Sequence, residues 1–252
     1  MTSGALVRLA AGAAGQVLDL LLPRICVACE TPTSTADRGM VCGRCWSRIA
    51  LLAKPQCQRC GHPLAGGNCR FCDALPPYVR AARSLCWVPE ATASGILSAL
   101  KYHGWSAVGA DIGERLARLQ FPVDACRERA ALVPVPLNAA RERERGYNQS
   151  LLIAQAVAAR WQIPVVHDLL TRQVATETQT RLTPGERSAN VKDAFALQPD
   201  AHRKVRGQHL VLVDDVLTTG ATLNECASVL FEAGARTMSY LTFGRARSGT
   251  SA

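Results

Sequence analysis

The sequence predicts an α/β domain with a mainly parallel sheet, preceded by a small cysteine-rich module. Three observations support this fold class. The chain has 252 residues, 48% of them apolar, so it can bury a substantial core. Eight of its 11 cysteines form closely spaced pairs between residues 26 and 72. After residue 76, strand-like and helix-like segments alternate, which is typical of a parallel α/β sheet.

The N-terminal 22 residues are rich in alanine and leucine, and residues 17–22 predict a short helix that packs on the rest of the protein. A cleaved signal peptide is the alternative. Only Arg8 precedes the apolar stretch, and cleavage near Ala14 would leave an apolar remnant, so we favour the helix. No run of 18 residues is purely apolar, which argues against a spanning helix. We therefore expect the protein in the cytoplasm, where thiols stay reduced.

Four C-x-x-C pairs follow. Two residues between cysteines let both sulfurs face one ion, and two pairs complete the tetrahedral four-sulfur shell of structural zinc. The segment has few bulky apolar residues, so metal would supply stability that a core cannot. The sequence predicts two closed, structural zinc sites. The predicted ligands are Cys26, Cys29, Cys42, Cys45, Cys57, Cys60, Cys69 and Cys72.

Disulfides or redox-active pairs are the alternatives for these cysteines. A disulfide framework needs an oxidising compartment, and a thioredoxin-like site is one pair near a βαβ unit. Consecutive and interleaved pairing use the same ligands, so the pairing stays open. The remaining cysteines, Cys86, Cys126 and Cys226, lie singly in apolar contexts and are expected to be buried small side chains.

The second part begins at Pro76 and Pro77, and the hydrophobic pattern predicts its elements in order. Each helix has apolar residues three or four positions apart, and each strand is a short apolar run. The predicted strands are residues 84–88, 131–135, 164–170, 209–213 and 237–243. The predicted helices are residues 91–102, 107–119, 149–161 and 221–233.

The strongest motif spans residues 210–222, where an apolar strand leads into two acids and a threonine- and glycine-rich loop. Asp214 and Asp215 would stand at the carboxyl end of the strand, where open α/β sheets bind ligands. The acids would repel phosphate, but they suit ribose hydroxyls or a Mg²⁺ ion between sugar and pyrophosphate. The loop amides and the following helix N-terminus would cradle a phosphate. The predicted phosphate-binding residues are Thr218, Thr219, Gly220, Ala221 and Thr222.

Other nucleotide-binding motifs fit less well. A Walker A loop requires Gly-Lys-Ser/Thr, whereas Gly220 is followed by Ala221 and Thr222, and no G-x-G-x-x-G is present. A Walker B strand is the alternative for the two acids, but it would lack its Walker A partner.

The basic residues have two interpretations. The formal net charge is +9, which favours an anionic partner. Residues 141–145 (R-E-R-E-R) could be a solvated, self-paired run, or they could bind phosphate, since they follow a strand end and arginine is a good bidentate donor. Lys101 lies at a predicted helix end, where its charge would interact favourably with the helix dipole. Asn148 is interpreted as a helix N-cap.

In this order, the motifs resemble the ComF family, also known as ComFC or GntX-like competence proteins. The two acids and the T-T-G-A-T loop are similar to the phosphoribosyl pyrophosphate (PRPP) loop of type I phosphoribosyltransferases. The matching stretches run nearly end to end. They are residues 18–26, the four cysteine pairs, and residues 99–104, 133–136, 141–149 and 178–190.

After the N-terminal helix that the apolar pattern predicts within residues 1–22, the resemblance implies a double zinc ribbon at 23–75 and a type I phosphoribosyltransferase-like domain at 76–252. The ligand would be PRPP or another 5-phosphoribosyl group, with Mg²⁺. Residues 171–187 fit a flexible lid over the active site.

The resemblance also assigns roles. Asp214 and Asp215 would hold the ribose hydroxyls, and residues 218–222 the 5-phosphate. Val135 and Pro136 lie in a turn that resembles the pyrophosphate loop, and Arg143 and Arg145 are favoured as phosphate ligands.

Two classes of function follow. One is a phosphoribosyltransferase with an unidentified acceptor, linked to competence and the uptake of single-stranded DNA. The other is a non-catalytic competence factor that binds single-stranded DNA and uses the PRPP-type site as a phosphate hook or regulator. A third interpretation is a PRPP sensor without DNA contact. The intact acids and loop favour PRPP binding. A base-recognition hood is not identifiable, and an aromatic content of 5%, dispersed along the chain, disfavours base stacking.

Overall fold

The computed structural model describes residues 24–33, 39–64, 69, 71–173 and 193–247. The helix predicted at residues 1–22 lies outside these ranges, as does most of the lid predicted at 171–187.

A four-stranded, fully parallel sheet forms the centre of the fold. A single parallel bridge between Leu132 and Val165 extends one edge of this sheet. The sequence predicted a strand at residues 164–170, and within the described residues only this bridge joins that segment to the sheet. A separate antiparallel hairpin was not predicted. In chain order the strands are β1 (Val79–Val88), β2 (Arg129–Pro134), β3 (Leu170–Arg172), β4 (Phe195–Leu197), β5 (His209–Leu217) and β6 (Thr237–Ala246), with the main sheet ordered β1-β6-β5-β2 and the hairpin β3-β4.

The helices cover both faces of the sheet. α2 and α6 have the bounds that the sequence predicts, while α1, α4, α5 and α7 are short helices that it did not predict. In chain order they are α1 (Gly43–Arg48), α2 (Ala91–Tyr102), α3 (Val108–Leu116), α4 (Val123–Glu128), α5 (Ala139–Arg145), α6 (Gln149–Trp161), α7 (His202–Val205) and α8 (Ala221–Glu232).

Strand β5 is buried on both faces, which explains its unbroken apolar run. Val211 and Val213 pack on the side of α2, α3 and α6, whereas Leu210 and Leu212 pack on the side of α8 and the β3-β4 hairpin. The strand also continues past the predicted end, because its pairing with β6 persists to Leu217. Successive side chains in a strand point to opposite faces. The side chains of Asp214 and Asp215, which follow Val213, therefore point toward opposite faces of the sheet.

The isolated cysteines split into two groups. Cys86 and Cys226 are fully buried, as predicted. The prediction for Cys126 is wrong, because this side chain is exposed. It lies on α4, a surface helix of six residues that buries only Ala125. Apolar neighbours in the sequence do not bury a residue when the helix that carries it is too short to turn one face to a core.

In the part of the chain that the structure describes, no helix has both the length and the apolar character needed to cross a bilayer.

Candidate functional site

The eight paired cysteines assemble into two clusters of four, in each of which the sulfur atoms lie within 4.8 Å of one another. Consecutive pairs share a cluster, which settles the question of pairing. In the first cluster, Cys26 and Cys45 Sγ are 3.7 Å apart and Cys29 and Cys42 Sγ are 3.8 Å apart. A tetrahedron with zinc–sulfur bonds of about 2.3 Å has edges of about 3.8 Å. The clusters therefore fit the sulfur shell of a structural zinc ion. Their members are Cys26, Cys29, Cys42 and Cys45, and Cys57, Cys60, Cys69 and Cys72.

In each cluster, hydrogen bonds favour the thiolate, the form that binds metal, at one cysteine, whereas burial raises the pKa of the thiols of Cys42, Cys45, Cys60 and Cys72. The side chain and backbone of Thr31 donate hydrogen bonds that lower the pKa of Cys29 to about 6. Burial opposes ionisation of Cys57, but amides at Cys60 and Arg59 donate to it, and its pKa falls to about 7.

The first cysteine pair of each cluster forms a knuckle, and the two knuckles repeat one backbone geometry. The amide of Cys26 donates to Thr31 O at 2.9 Å, and the amide of Cys57 donates to His62 O at 2.9 Å. Each knuckle contains one residue with positive φ, Glu30 at 56° and Gly61 at 69°. Only Gly61 is sterically restricted, because a Cβ there would lie 2.3 Å from the carbonyl oxygen of Ala82 on β1.

The first cluster is attached to the helices on one face of the sheet. Amides of Met40 and Val41 donate to Asp111 Oδ2 on α3 at 2.6 and 3.3 Å. The indole of Trp46 stacks under the guanidinium of Arg115, 3.7 Å away, and meets Phe243 edge-on. This ribbon thus packs directly on the α/β domain.

The second cluster is held against the sheet by three arginines. Arg59 donates to Leu75 O and Pro76 O at 2.8 Å. Arg83 on β1 donates to Gln58 O at 3.1 Å, and Arg245 on β6 donates to Cys60 O. A zinc ion bound by four thiolates would carry a formal charge of −2, and these cations would complement it as well as bonding the knuckle backbone.

A second polar site lies at the carboxyl ends of β2 and β5, which are neighbours in the sheet. The amide of Val135 donates to Val213 O at 3.0 Å, so the turn at Pro136 runs beside the residues that follow Val213. The side chain of Asn148 donates to Val135 O at 3.0 Å and fixes this turn to the start of α6. The two segments predicted to bind pyrophosphate and phosphoribose are therefore brought together.

The two acids of this site have different partners. Asp215 is buried, contacts Lys101 Nζ, and accepts from Gln149 Nε2 at 3.3 Å. Asp214 Oδ1 accepts from Ser150 Oγ at 3.1 Å and from the amide of Asp215 at 2.9 Å. Burial and the adjacent charge of Asp215 raise the pKa of Asp214 to about 7. Both carboxylates lie in β5 just beyond the end of its pairing with β2, but their hydrogen-bond and ion-pair partners differ.

The loop after the acids opens into α8. Gly220 has φ of 86° and forms the N-cap, so it offers no side chain to the amides of the first helical turn. Thr218 is exposed, and Thr219 Oγ1 accepts from the amide of Ala221 at 3.3 Å. This arrangement can cradle an anion with backbone amides and threonine hydroxyls, including that of Thr222.

Residues 145–149 link the site to α2. Tyr147 donates to Leu100 O at 2.6 Å, and Arg145 Nη1 donates to Gln149 Oε1. Asn148 accepts from the amides of Ser150 and Leu151, which confirms the predicted N-cap. Residue types alone did not identify Gln149 as a partner of Asp215.

Lys101 has a different role from the predicted one. Its ammonium contacts Asp215 rather than completing a helix dipole. Burial alone would lower the pKa of Lys101, but the Asp215 carboxylate outweighs burial and raises it. The only signal in the sequence was that Lys101 lies in one of the stretches that resemble the ComF family.

The basic run 141–145 is part of the helix α5, which is capped by Asn138. Residues two apart lie on opposite sides of a helix, so Arg143 and Arg145 do not share a face, whereas Arg141 and Arg145 do. Arg145 reaches the site through Gln149, while Arg143 is exposed. The role of Arg143 in ligand binding stays a prediction. The stretch 178–190, which resembles the ComF family, lies outside the described residues.

Comparison with known families finds two family models in the chain. A family model described as a double zinc ribbon domain matches residues 17–76. A second, described as a phosphoribosyl transferase domain, matches residues 148–252. The allosteric regulatory enzyme of purine biosynthesis aligns at 21% identity and a TM-score of 0.36, covering 53% of this chain and 25% of that one.

Similar proteins cover almost the whole chain. The DNA utilization protein YhgH of Escherichia coli is 33% identical over 236 residues, 87% of this chain and 96% of that protein. Competence protein F of Haemophilus influenzae is 30% identical over 83% of this chain and 91% of that protein. Competence protein ComFC of Bacillus subtilis is 27% identical over 77% and 79%. The chain therefore belongs to the ComF family of competence and DNA utilization proteins, with a double zinc ribbon followed by a phosphoribosyltransferase domain.

Proposed function

We propose that this protein binds PRPP, or a closely related 5-phosphoribosyl ligand, and acts as a phosphoribosyltransferase in the use of imported DNA. The observation that carries this proposal is the junction of two acids, a threonine-rich loop and a helix N-terminus beside the turn at Val135 and Pro136. Loop amides and hydroxyls suit the 5-phosphate, and carboxylates suit the ribose hydroxyls. The acceptor is not specified by these groups.

Transfer at such a site is a displacement at the anomeric carbon. The acceptor's nucleophilic atom forms a bond to C1 while the C1–O bond to pyrophosphate breaks, and pyrophosphate leaves with the electron pair. The acceptor's proton passes to water or a nearby base. The protein would contribute positioning and charge, with Asp214 and Asp215 orienting the sugar.

Magnesium would enter mainly with the ligand. Asp214 and Asp215 offer the oxygen donors that Mg²⁺ prefers. Because Asp215 already contacts Lys101, an ion at that carboxylate would compete with the ammonium group. We therefore propose that pyrophosphate and hydroxyl oxygens of the ligand provide most of the ligands of Mg²⁺, with Asp214 the more available carboxylate.

Zinc is the proposed metal of both cysteine clusters. All four donors in each cluster are sulfurs, so no coordination position is left for water and both ions would be structural. Free thiolates persist in a reducing compartment, which supports the cytoplasm as the site of action.

Calorimetry with PRPP and Mg²⁺ tests the ligand. The wild type should bind, and Asp214→Asn and Asp215→Asn should each weaken binding about tenfold or more, because each removes charged hydrogen bonds to the sugar. Asp168→Asn changes an exposed carboxylate elsewhere and should bind as the wild type does. Absence of PRPP binding by the folded, zinc-loaded wild type would show the proposal to be wrong.

Single-stranded DNA binding is the second candidate, and the exposed helix α5 favours it because Arg141 and Arg143 are both solvent-accessible. If both contact phosphates, Arg141→Ala/Arg143→Ala should reduce the slope of log affinity against log salt for an oligonucleotide by about 1.4. Arg203→Ala, on the exposed helix α7, is the matched control. Affinity that does not change with salt would rule out recognition of the phosphate backbone.

A further inference from the structure

The end of α2 presents an exposed aromatic surface beside the candidate site. Tyr102, the last residue of α2, is 70% exposed, and Trp105 in the following loop is 46% exposed. Three other aromatic residues, in contrast, are held by contacts within the fold. Trp46 stacks with Arg115, Tyr147 donates to Leu100 O, and Trp161 donates to Ala117 O. Two accessible aromatic groups are thus gathered within one short segment.

Two basic residues connect Tyr102 to the acids, Lys101 as its neighbour in the chain and Arg145 by contact. Its neighbour Lys101 contacts the carboxylate of Asp215. On the other side, Arg145 Cζ lies 5.9 Å from the centre of the Tyr102 ring, and Arg145 donates to Gln149, which donates to Asp215. The ring therefore lies close to the side chains that surround the proposed ribose-binding carboxylate.

Single exposed aromatic side chains are common on protein surfaces and need no explanation. Tyr102 differs because two cations flank it and an acid suited to ribose lies next to one of them. Aromatic rings bind nucleobases by stacking, and nearby cations offset the charge of the attached phosphate. An aliphatic or peptide ligand would use neither property.

We propose that Tyr102 is the stacking platform for a nucleobase, and that the site accepts nucleoside 5′-monophosphates. The 5′-phosphate would lie at residues 218–222, the ribose at the two acids, and the base on Tyr102 with Arg145 at its edge. This inference rests on the proposed function and names its class of ligand. It also supplies the base-binding element that the sequence did not reveal.

Calorimetry with the full-length, zinc-loaded protein and Mg²⁺ tests the inference. Ribose 5-phosphate, AMP and UMP are the probes. Stacking should make AMP bind about tenfold more tightly than ribose 5-phosphate, with UMP between them. Tyr102→Ala should bind AMP no more tightly than ribose 5-phosphate, whereas Tyr102→Phe should still bind AMP about tenfold more tightly. Phe231→Ala, an exposed aromatic at the far end of α8, is the control.

The outcomes separate the two proposals. If AMP binds no more tightly than ribose 5-phosphate, the base contributes no affinity and the stacking platform is wrong. The same holds if Tyr102→Ala still binds AMP more tightly than ribose 5-phosphate by the wild-type factor. In both cases the proposed phosphoribosyl site stands. If neither ribose 5-phosphate nor PRPP binds, the proposed function fails and the inference fails with it.

Discussion

Replacing Cys60 by serine is expected to release the metal from the second cysteine cluster and to prevent stable folding. Cys60 is 2% exposed, and its Sγ lies 3.3 Å from that of Cys69. A structural zinc ion contributes on the order of 10 kcal/mol to the folding of small modules, comparable to the net stability of a whole domain, about 5–15 kcal/mol. Loss of one ion should therefore reduce the zinc content from about two ions per chain to about one and remove the cooperative thermal transition.

The hydrogen bonds between the second ribbon and the sheet explain why loss of this metal ion should also destabilise the α/β domain. Arg83 and Arg245 are buried, and they bond carbonyls of this knuckle from β1 and β6. If the knuckle unfolds, both guanidinium groups lose buried acceptors, and such loss costs about 1–3 kcal/mol for each group. The ribbon should therefore melt together with the sheet rather than as an independent unit.

The control is Cys126→Ser, which alters an exposed thiol outside both clusters. It should keep both ions and the wild-type melting temperature. A Cys60→Ser protein that retained two zinc ions and a wild-type transition would contradict the ligand assignment. A protein that lost one ion but kept the thermal transition of the α/β domain would contradict the expectation that the ribbon and the sheet unfold together.

Local patterns predicted the parts of the fold that depend on local physics. The C-x-x-C spacing indicated both clusters, the helical periodicity indicated the bounds of α2 and α6, and the motif at 210–222 indicated the strand, loop and helix in order. Each of these signals lies within a few residues of the structure that it predicts.

Contacts between distant polar side chains could not be predicted in this way. Hydrophobic periodicity indicates which side chains are buried, but not which buried polar groups meet. Lys101 and Asp215, or Asp111 and the amide of Met40, meet because α2 and α3 pack between the first ribbon and the sheet. Cys126 shows the converse, since the extent of its helix, and not its apolar neighbours, decided its exposure.

Replacing Lys101 by methionine is expected to lower the free energy of unfolding by about 3 kcal/mol at neutral pH. The substitution leaves the Asp215 carboxylate buried beside Asp214 with Gln149 as its remaining partner. Removing one member of a buried ion pair leaves an uncompensated charge, whereas removing both can be nearly neutral. Lys101→Met/Asp215→Asn should therefore recover most of the loss, and denaturant unfolding of the four proteins in the cycle measures the coupling.

Alkaline pH gives a second test of the same contact. The carboxylate raises the pKa of Lys101 above its ordinary 10.5, so the stabilisation is complete below that ordinary value and is lost as pH rises through the raised value. The difference between wild type and Lys101→Met should stay constant from about pH 7 to 9 and shrink only in strongly alkaline solution. Lys204→Met breaks a pair whose side chains are 52% and 54% exposed, and it should cost less than about 1 kcal/mol. If Lys101→Met costs no more than Lys204→Met, the ammonium does not hold Asp215, and another group must keep this carboxylate at the strand end.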